Sequence, residues 1–424
     1  MDLNQNRKTT PAKSPNRLSR WLPIALGLGL ILSPDNLALL GRFTGMAGLW
    51  APVIIITAAG VYIAQAGAYK RLHSYFPGPA AEVVLVKKTI GNWFALFPLV
   101  LRLVAAAFIA TGLMVSAGFV FNEVFLYWFP NFGFAFLLLG LLSALHFFGG
   151  DFAQKAQLVF VAAAITGLTV LIVVGVYVAF SNTATLSWSG PLLGLDSIFT
   201  PLLLFIGFDL AYPLTTFKKP DNKSDSRPMK TIVILAGIIL TLWSLTTFFN
   251  VSGAKLADTS IAHIITARKI LGQSGRVIMA IVVIAGSCSA VNALFIASAR
   301  MATDMAGRKI LPTIFQKIWV LLPAIATAIM MANGVAGGEK LETYIRSIFL
   351  MWLGWYALFQ ISLLVRSQKL TASNIFIAGI VLAITLAGVF MLVLMDPQRV
   401  LILKFTTAVL AGTAILGAIF FRRR

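Results

Sequence analysis

The chain has 424 residues, of which 59% are hydrophobic and 11% charged, with a formal net charge of +20 and a mean hydropathy of +0.90. A soluble domain carries about a quarter charged residues, so this composition excludes a water-soluble protein and predicts an all-α integral membrane protein. Cys288 is the single cysteine, which excludes a disulfide framework.

Taken in chain order, the polar and basic stretch 1–20 (Arg7, Lys8, Lys13, Arg17, Arg20) leads into apolar sequence with no small-residue cleavage site, and reads as a cytoplasmic tail. About a dozen apolar runs follow, each long enough to cross a bilayer as a helix. They are 21–44, 48–69, 93–121, 132–149, 156–180, 197–216, 230–252, 274–299, 318–335, 344–365, 374–395 and 400–421. Two connections look structured. Residues 72–90 alternate apolar and basic positions. In 256–272 an apolar face (Leu256, Ile261, Ile264, Ile265, Ile270, Leu271) opposes Lys255, Arg268 and Lys269, the pattern of an amphipathic helix lying at the outer surface.

The basic excess suggests nucleic-acid binding until the charges are placed. With the N-terminus inside, the tail and the connections 70–92, 150–155, 217–230, 300–317, 366–373 and 422–424 hold 24 of the 34 Lys and Arg. That bias is the positive-inside rule, which puts both termini in the cytoplasm of a plasma (inner) membrane protein. It leaves membrane lipid, and no nucleic acid, as the partner of the basic loops.

The spans offer little for catalysis. His73, His146 and His263 lie in separate loops or span ends, none with a metal-ligand partner three or four residues away. No nucleophile–base pairing and no phosphate-binding glycine–lysine loop can be read. Neither an enzyme nor a cofactor or metal site is expected.

Discontinuous helices are the stronger lead, because transporters bind substrate near the midplane where two spans unwind. The first span reads Gly27-Leu28-Gly29-Leu30-Ile31-Leu32-Ser33-Pro34-Asp35-Asn36. Its two glycines weaken the helix, and Pro34 removes a donor. The sixth reads Phe205-Ile206-Gly207-Phe208-Asp209-Leu210-Ala211-Tyr212-Pro213, a glycine beside an ionisable residue in mid-span. Each glycine alone reads as a packing residue; the pair, five spans apart, predicts breaks in equivalent positions of a repeat.

These residues resemble the amino acid–polyamine–organocation permease superfamily. The stretch 27–38 is similar to that family's glycine-rich first-span signature ending in proline. Leu72 and Pro77 through Gly91 match its second-span motif in register. The sixth-span FIGFD with Lys219-Pro220 and Arg227-Pro228, with a two-residue insertion, and the eighth-span Asn292, Ser298-Ala299-Arg300, Met305-Ala306-Gly307-Arg308 and Leu311-Pro312 resemble two more. There are departures. The family's second-span glutamate falls on Arg71 and its paired glycines on Ala80 and Ala81. Its acidic pair after span 6 falls on Thr215 and Thr216. The fifth-span lysine of proton-coupled relatives falls on Ala164 or Ile165.

The resemblance implies a leucine-transporter-like fold. That means a ten-helix core at 21–365, built from repeats 21–180 and 197–365 in five-plus-five inverted order with helices 1 and 6 broken, and two added helices at 374–421. It also implies alternating-access transport of a small molecule, an amino acid or related amine, coupled to H+ or Na+ or run as an exchanger. A carrier of another organic solute and a non-transporting membrane subunit are the rival readings.

A charge in mid-bilayer faces the protein interior and takes a partner. Arg102, about ten residues into span 3, and Asp209 are the two candidates. They form either a fixed ion pair or a working pair, Arg102 for a substrate carboxylate and Asp209 for an amine or a proton. The expected substrate site is Gly27, Leu28, Gly29, Arg102, Phe205, Ile206, Gly207, Phe208 and Asp209. The substrate carboxylate would lie on the Gly27–Gly29 N–H groups, and Phe205, Phe208, Trp352 and Trp355 would gate the path. Asp209, Ser287 and Ser289 are the candidates for ion coupling. Asp35 and Arg42 read as interfacial.

Overall fold

The first span breaks where its sequence cannot continue a helix. In the computed structural model, which describes residues 18–76, 78–181, 194–215, 227–314, 319, 321–338, 340–366 and 371–421, α1 (Leu18–Ile31) stops and α2 (Pro34–Ala47) restarts after Leu32 and Ser33. The residue before a proline is disfavoured in the helical region, while proline itself suits the first helical position. Ser33 is accordingly extended (φ −66°, ψ 153°), and the two halves meet at 56°. This corrects the expected break: Gly27 and Gly29 lie inside α1, and the interruption falls at Leu32–Ser33.

The chain continues as α3 (Trp50–Tyr75), α4 (Ala81–Thr89), α5 (Phe97–Val124), α6 (Asn131–Phe147) and α7 (Gly150–Ser181). The broken sixth span follows, as α8 (Leu195–Phe199), α9 (Pro201–Leu204), a 3₁₀ turn (Phe208–Ala211) and α10 (Tyr212–Thr215). Then come α11 (Arg227–Asn250), α12 (Gly253–Ala257), α13 (Ala262–Gly307), α14 (Leu321–Ala332), α15 (Lys340–Arg366), α16 (Ala372–Leu394) and α17 (Arg399–Phe421). Among the described residues nine helices are long and apolar enough to span a membrane, or up to ten if the bent α1–α2 pair is one span. The expected spans 132–149 and 318–335 appear as the shorter α6 and α14. The tail to residue 17, the segment 216–226 with the Lys219-Pro220 part of its motif, and 422–424 lie outside the described residues.

α13 is the spine of the bundle. It packs along α7, α5 and α1, and Ala285, Gly286, Ser287, Ser289, Ala290, Ala293 and Ala297 let neighbouring backbones come close. The expected outer helix 256–272 is divided between α12 and the start of α13, which is interrupted at Leu271–Gly272, where Gly272 takes φ +58°. The connection 72–90 is not a surface segment: Ala81, Glu82, Val83, Leu85 and Val86 of α4 are buried, and α4 packs on α3, α5 and α15.

Candidate functional site

The breaks of spans 1 and 6 lie side by side. Span 6 unwinds over Phe205–Gly207, and Gly207 adopts φ +98°, a conformation open to glycine at little cost. Leu30 of α1 packs so closely there that a Cβ on Gly207 would sit 2.8 Å from its side chain. Breaking two helices frees carbonyls in an apolar interior, and each must find a donor. Asn36 supplies one to both spans: its Nδ2 donates to the carbonyls of Ile31 and Leu204 at 3.2 Å and of Leu30 at 3.4 Å. The Tyr62 hydroxyl donates to the Leu202 carbonyl at 2.6 Å.

Asp209 stands just past the span-6 break, wholly buried. Arg102 Nη2 reaches its Oδ2 at 2.6 Å, Trp352 Nε1 donates to Oδ2 at 3.4 Å, and the Tyr356 hydroxyl donates to Oδ1 at 2.7 Å. The two charges do face one another, with a third partner the sequence did not announce. Glu82 of α4, also 0% exposed, pairs its Oε2 with Arg102 Nη1 at 2.6 Å and accepts the Tyr69 hydroxyl on Oε1 at 2.7 Å. Arg102 is also nearer the helix end than expected. α5 starts at Phe97, so Arg102 lies only about 8 Å along the axis from that end at 1.5 Å per residue. With both guanidinium ends held by carboxylates, Arg102 is not a free site for a substrate carboxylate. Residue 82 follows Ala80 and Ala81, the positions of the family's glycine pair. The available signal was an acid set directly against the apolar run 83–86.

Aromatic rings close around the same point. Tyr62 lies 5.4 Å from Phe205, 5.3 Å from Phe208 and 5.6 Å from Tyr356, centroid to centroid, and Phe208 lies 5.5 Å from Tyr356. Trp355 packs farther along α15, against Phe97 and Phe359. α4 shuts one end of the bundle, pinned by Glu82 and by the Ala80 N–H donating to Asp304 at 2.9 Å. The opposite end carries a second ionic chain. Arg42 meets Glu342 at 3.2 Å, Arg346 meets Glu342 at 3.2 Å, and Arg346 meets Asp396 at 2.5 Å.

The serines of α13 part company. Ser289 accepts Gln157 Nε2 at 2.9 Å, and the same amide donates to the Ala25 carbonyl at 3.0 Å. Gln157 Oε1 accepts Asn292 Nδ2 at 2.9 Å, and Asn292 Oδ1 meets His146 Nε2 at 3.0 Å. Ser287 Oγ is buried without a partner. Ser289 is therefore committed to an amide and is not an open ion ligand. Span 5 sends Gln157 into the α1–α13 contact two turns before Ala164, so a neutral side chain stands there.

Gly27 and Gly29 are contacts inside this packing. A Cβ on Gly27 would meet Ile232 of α11; one on Gly29 would lie 2.8 Å from both Gln157 Nε2 and Ser289 Oγ. Gly29→Val is expected to overpack the network and lower stability by about 1–3 kcal/mol, read as earlier thermal unfolding in detergent. Wild-type unfolding with lost ligand binding would instead restore a direct binding role to this glycine.

No curated protein sequence matches the chain. Its fold is similar to that of a nucleobase–cation-symport-1 family transporter in a closed conformation with bromovinylhydantoin bound (TM-score 0.59, 13% identity, 97% of this chain and 96% of that one). It is also similar to a manganese transporter of Eremococcus coleocola in complex with an aromatic bis-isothiourea compound (TM-score 0.57, 13% identity, 100% of both chains). At such identities the likeness carries the leucine-transporter-like architecture alone. The sequence model described as "Amino acid permease" matches residues 18–422. Nearly the whole chain, both broken spans included, thus falls within that match, and the protein belongs to the amino acid permease family as a non-enzymatic secondary transporter.

Proposed function

We propose that the protein carries an amino acid or a related amine by alternating access, with the substrate held where the two breaks meet. The observation that carries this reading is the buried Asp209 carboxylate just past the span-6 break, held by Tyr356 at the edge of the Tyr62, Phe205, Phe208 and Tyr356 ring cluster, with Arg102 as the partner that a substrate ammonium would displace. A carboxylate beside aromatic faces suits an ammonium group. Ionic closures at both ends of the bundle suit a carrier in which one opens while the other holds. The excess of Lys and Arg in the connections on one side supports cytoplasmic termini.

Gln157 bears on coupling. Its amide fills the place between α1, α7 and α13 where Ser289 and a first-span carbonyl would hold sodium, which supports exchange or proton coupling over sodium coupling. The test is uptake of labelled amino acids and amines by the purified protein in liposomes, in sodium chloride and again in choline chloride. Saturable uptake, unchanged by the salt, is expected. No uptake in any condition overturns the transport substrate proposed, and uptake that requires sodium overturns the reading of Gln157.

A further inference from the structure

A polar chain crosses the bundle away from the ion cluster, and its direction is fixed by what it touches. The carbonyls of Ala25 and Ala153 can only accept, so amide nitrogens must face them. Gln157 Nε2 donates to Ala25 at 3.0 Å, and Asn292 Nδ2 donates to Ala153 at 2.9 Å. The second N–H of each amide is spent as well, that of Gln157 on Ser289 Oγ and that of Asn292 on Gln157 Oε1, both at 2.9 Å. Asn292 Oδ1 is left as an acceptor, and the group it meets is His146 Nε2 at 3.0 Å. That nitrogen must therefore carry a proton. His146 is half-buried, one residue from the end of α6, with its ring against the edge of Phe295; Gln157, Ser289 and Asn292 are buried.

The far end of this chain is the half of span 1 that precedes its break. α1 and α2 meet at 56° across Leu32 and Ser33, and an interruption of that kind lets two rigid halves move separately. Among the described residues the Gln157 amide on Ala25 is the one side-chain hydrogen bond to α1 ahead of Leu30. The rest of its hold is close packing, such as Gly27 on Ile232 and Gly29 on Ser289. A bare Nε2 at His146 would set acceptor against acceptor at Asn292. Turning Asn292 over would put its oxygen against the Ala153 carbonyl and Gln157 Oε1. Turning Gln157 as well would put an oxygen against the Ala25 carbonyl, a clash that α1 relieves by moving away. Buried acceptors without donors are costly, so the proton on His146 orients both amides.

The geometry assigns His146 as a positioning residue for transport: through Asn292 and Gln157, its Nε2–H holds the first half of span 1 against α7 and α13, and loss of that donor frees this half to swing from the break. The role rests on alternating access and not on which solute is carried.

Cys288, the single cysteine, reports on α1 without engineering. It is buried on the turn of α13 that span 1 covers, where Gly286 lies against the Leu32 carbonyl and Ser289 against Gly29. Its alkylation by N-ethylmaleimide is followed by intact mass in the folded, detergent-solubilised full chain, well below the unfolding temperature. His146→Leu removes the donor and should speed the reaction by about tenfold, the population shift set by one net hydrogen bond of about 1.4 kcal/mol. His146→Gln can donate through its own amide and should stay near the wild-type rate. Gln157→Leu should speed alkylation too, and adding His146→Leu to it should change nothing further, because the chain is already cut. His146→Phe keeps a ring without the N–H and gives the same reading if His146→Leu is not recovered folded. An unchanged rate in the folded variant that lacks the donor overturns the inference. So do effects that multiply in the double variant without rescue by glutamine, the pattern of a merely destabilised fold.

Discussion

Arg102→Met is expected to destabilise the protein by about 3–5 kcal/mol, the cost typical of removing one partner from a buried ion pair. Glu82 and Asp209, 0% exposed and each 2.6 Å from the guanidinium, would be left as two uncompensated carboxylates in an apolar interior. Removing a carboxylate instead is milder. Glu82→Gln leaves Arg102 paired with Asp209 and keeps an acceptor for the Tyr69 hydroxyl, and it lowers the net interior charge. The triple variant Glu82→Gln, Arg102→Met, Asp209→Asn should recover most of the stability lost by Arg102→Met, because buried ion clusters are often replaceable by neutral groups of similar volume. Thermal unfolding of the purified variants in one detergent decides it. A triple variant no more stable than Arg102→Met would mean that packing, and not charge balance, accounts for the loss. Uptake separates structure from function: a stable triple variant without transport makes Asp209 a working group, and one with full transport makes the cluster a structural clasp.

Gly207→Val should abolish uptake and cost more than the strained backbone alone, which is worth about 1–3 kcal/mol for a side chain forced into this region. Two effects add. Gly207 holds φ +98°, and any Cβ there would lie 2.8 Å from the Leu30 side chain, where the two broken spans touch. Gly354→Val is the control position, on α15 between Trp352 and Trp355, where an added Cβ meets nothing within 4 Å. Helix propensity makes it neutral or stabilising by a few tenths of a kcal/mol, and uptake should be retained. Equal loss in both variants, measured as unfolding temperature and initial uptake rate, would remove the special role of the span-6 break.

The comparison of residues with structure separates what is local from what is not. The break in span 6 was legible because its cause is local: a glycine able to take positive φ beside a charge that bilayer sequence does not tolerate idly. Span 1 was read as broken for a partly wrong reason. The glycines drew attention, but a glycine weakens a helix without ending it, and it was Pro34 acting on Ser33 that set the interruption two residues past Ile31. The pairing of Arg102 with Asp209 followed from burial cost, which leaves few arrangements for two opposite charges in one bundle. Glu82 escaped because α4 looks like a basic connecting segment until its insertion among α3, α5 and α15 is seen.

By itself, then, the sequence determined that this is an all-helical membrane protein with broken first and sixth spans, since hydropathy, proline and glycine act through nearest neighbours along the chain. Only the tertiary structure decided which polar groups meet. Asn36 reaches Leu204 across 168 positions, and Gln157 reaches Ala25 across 132. Such partners are chosen by how helices pack, because a buried donor takes whichever acceptor the packing brings within about 3 Å.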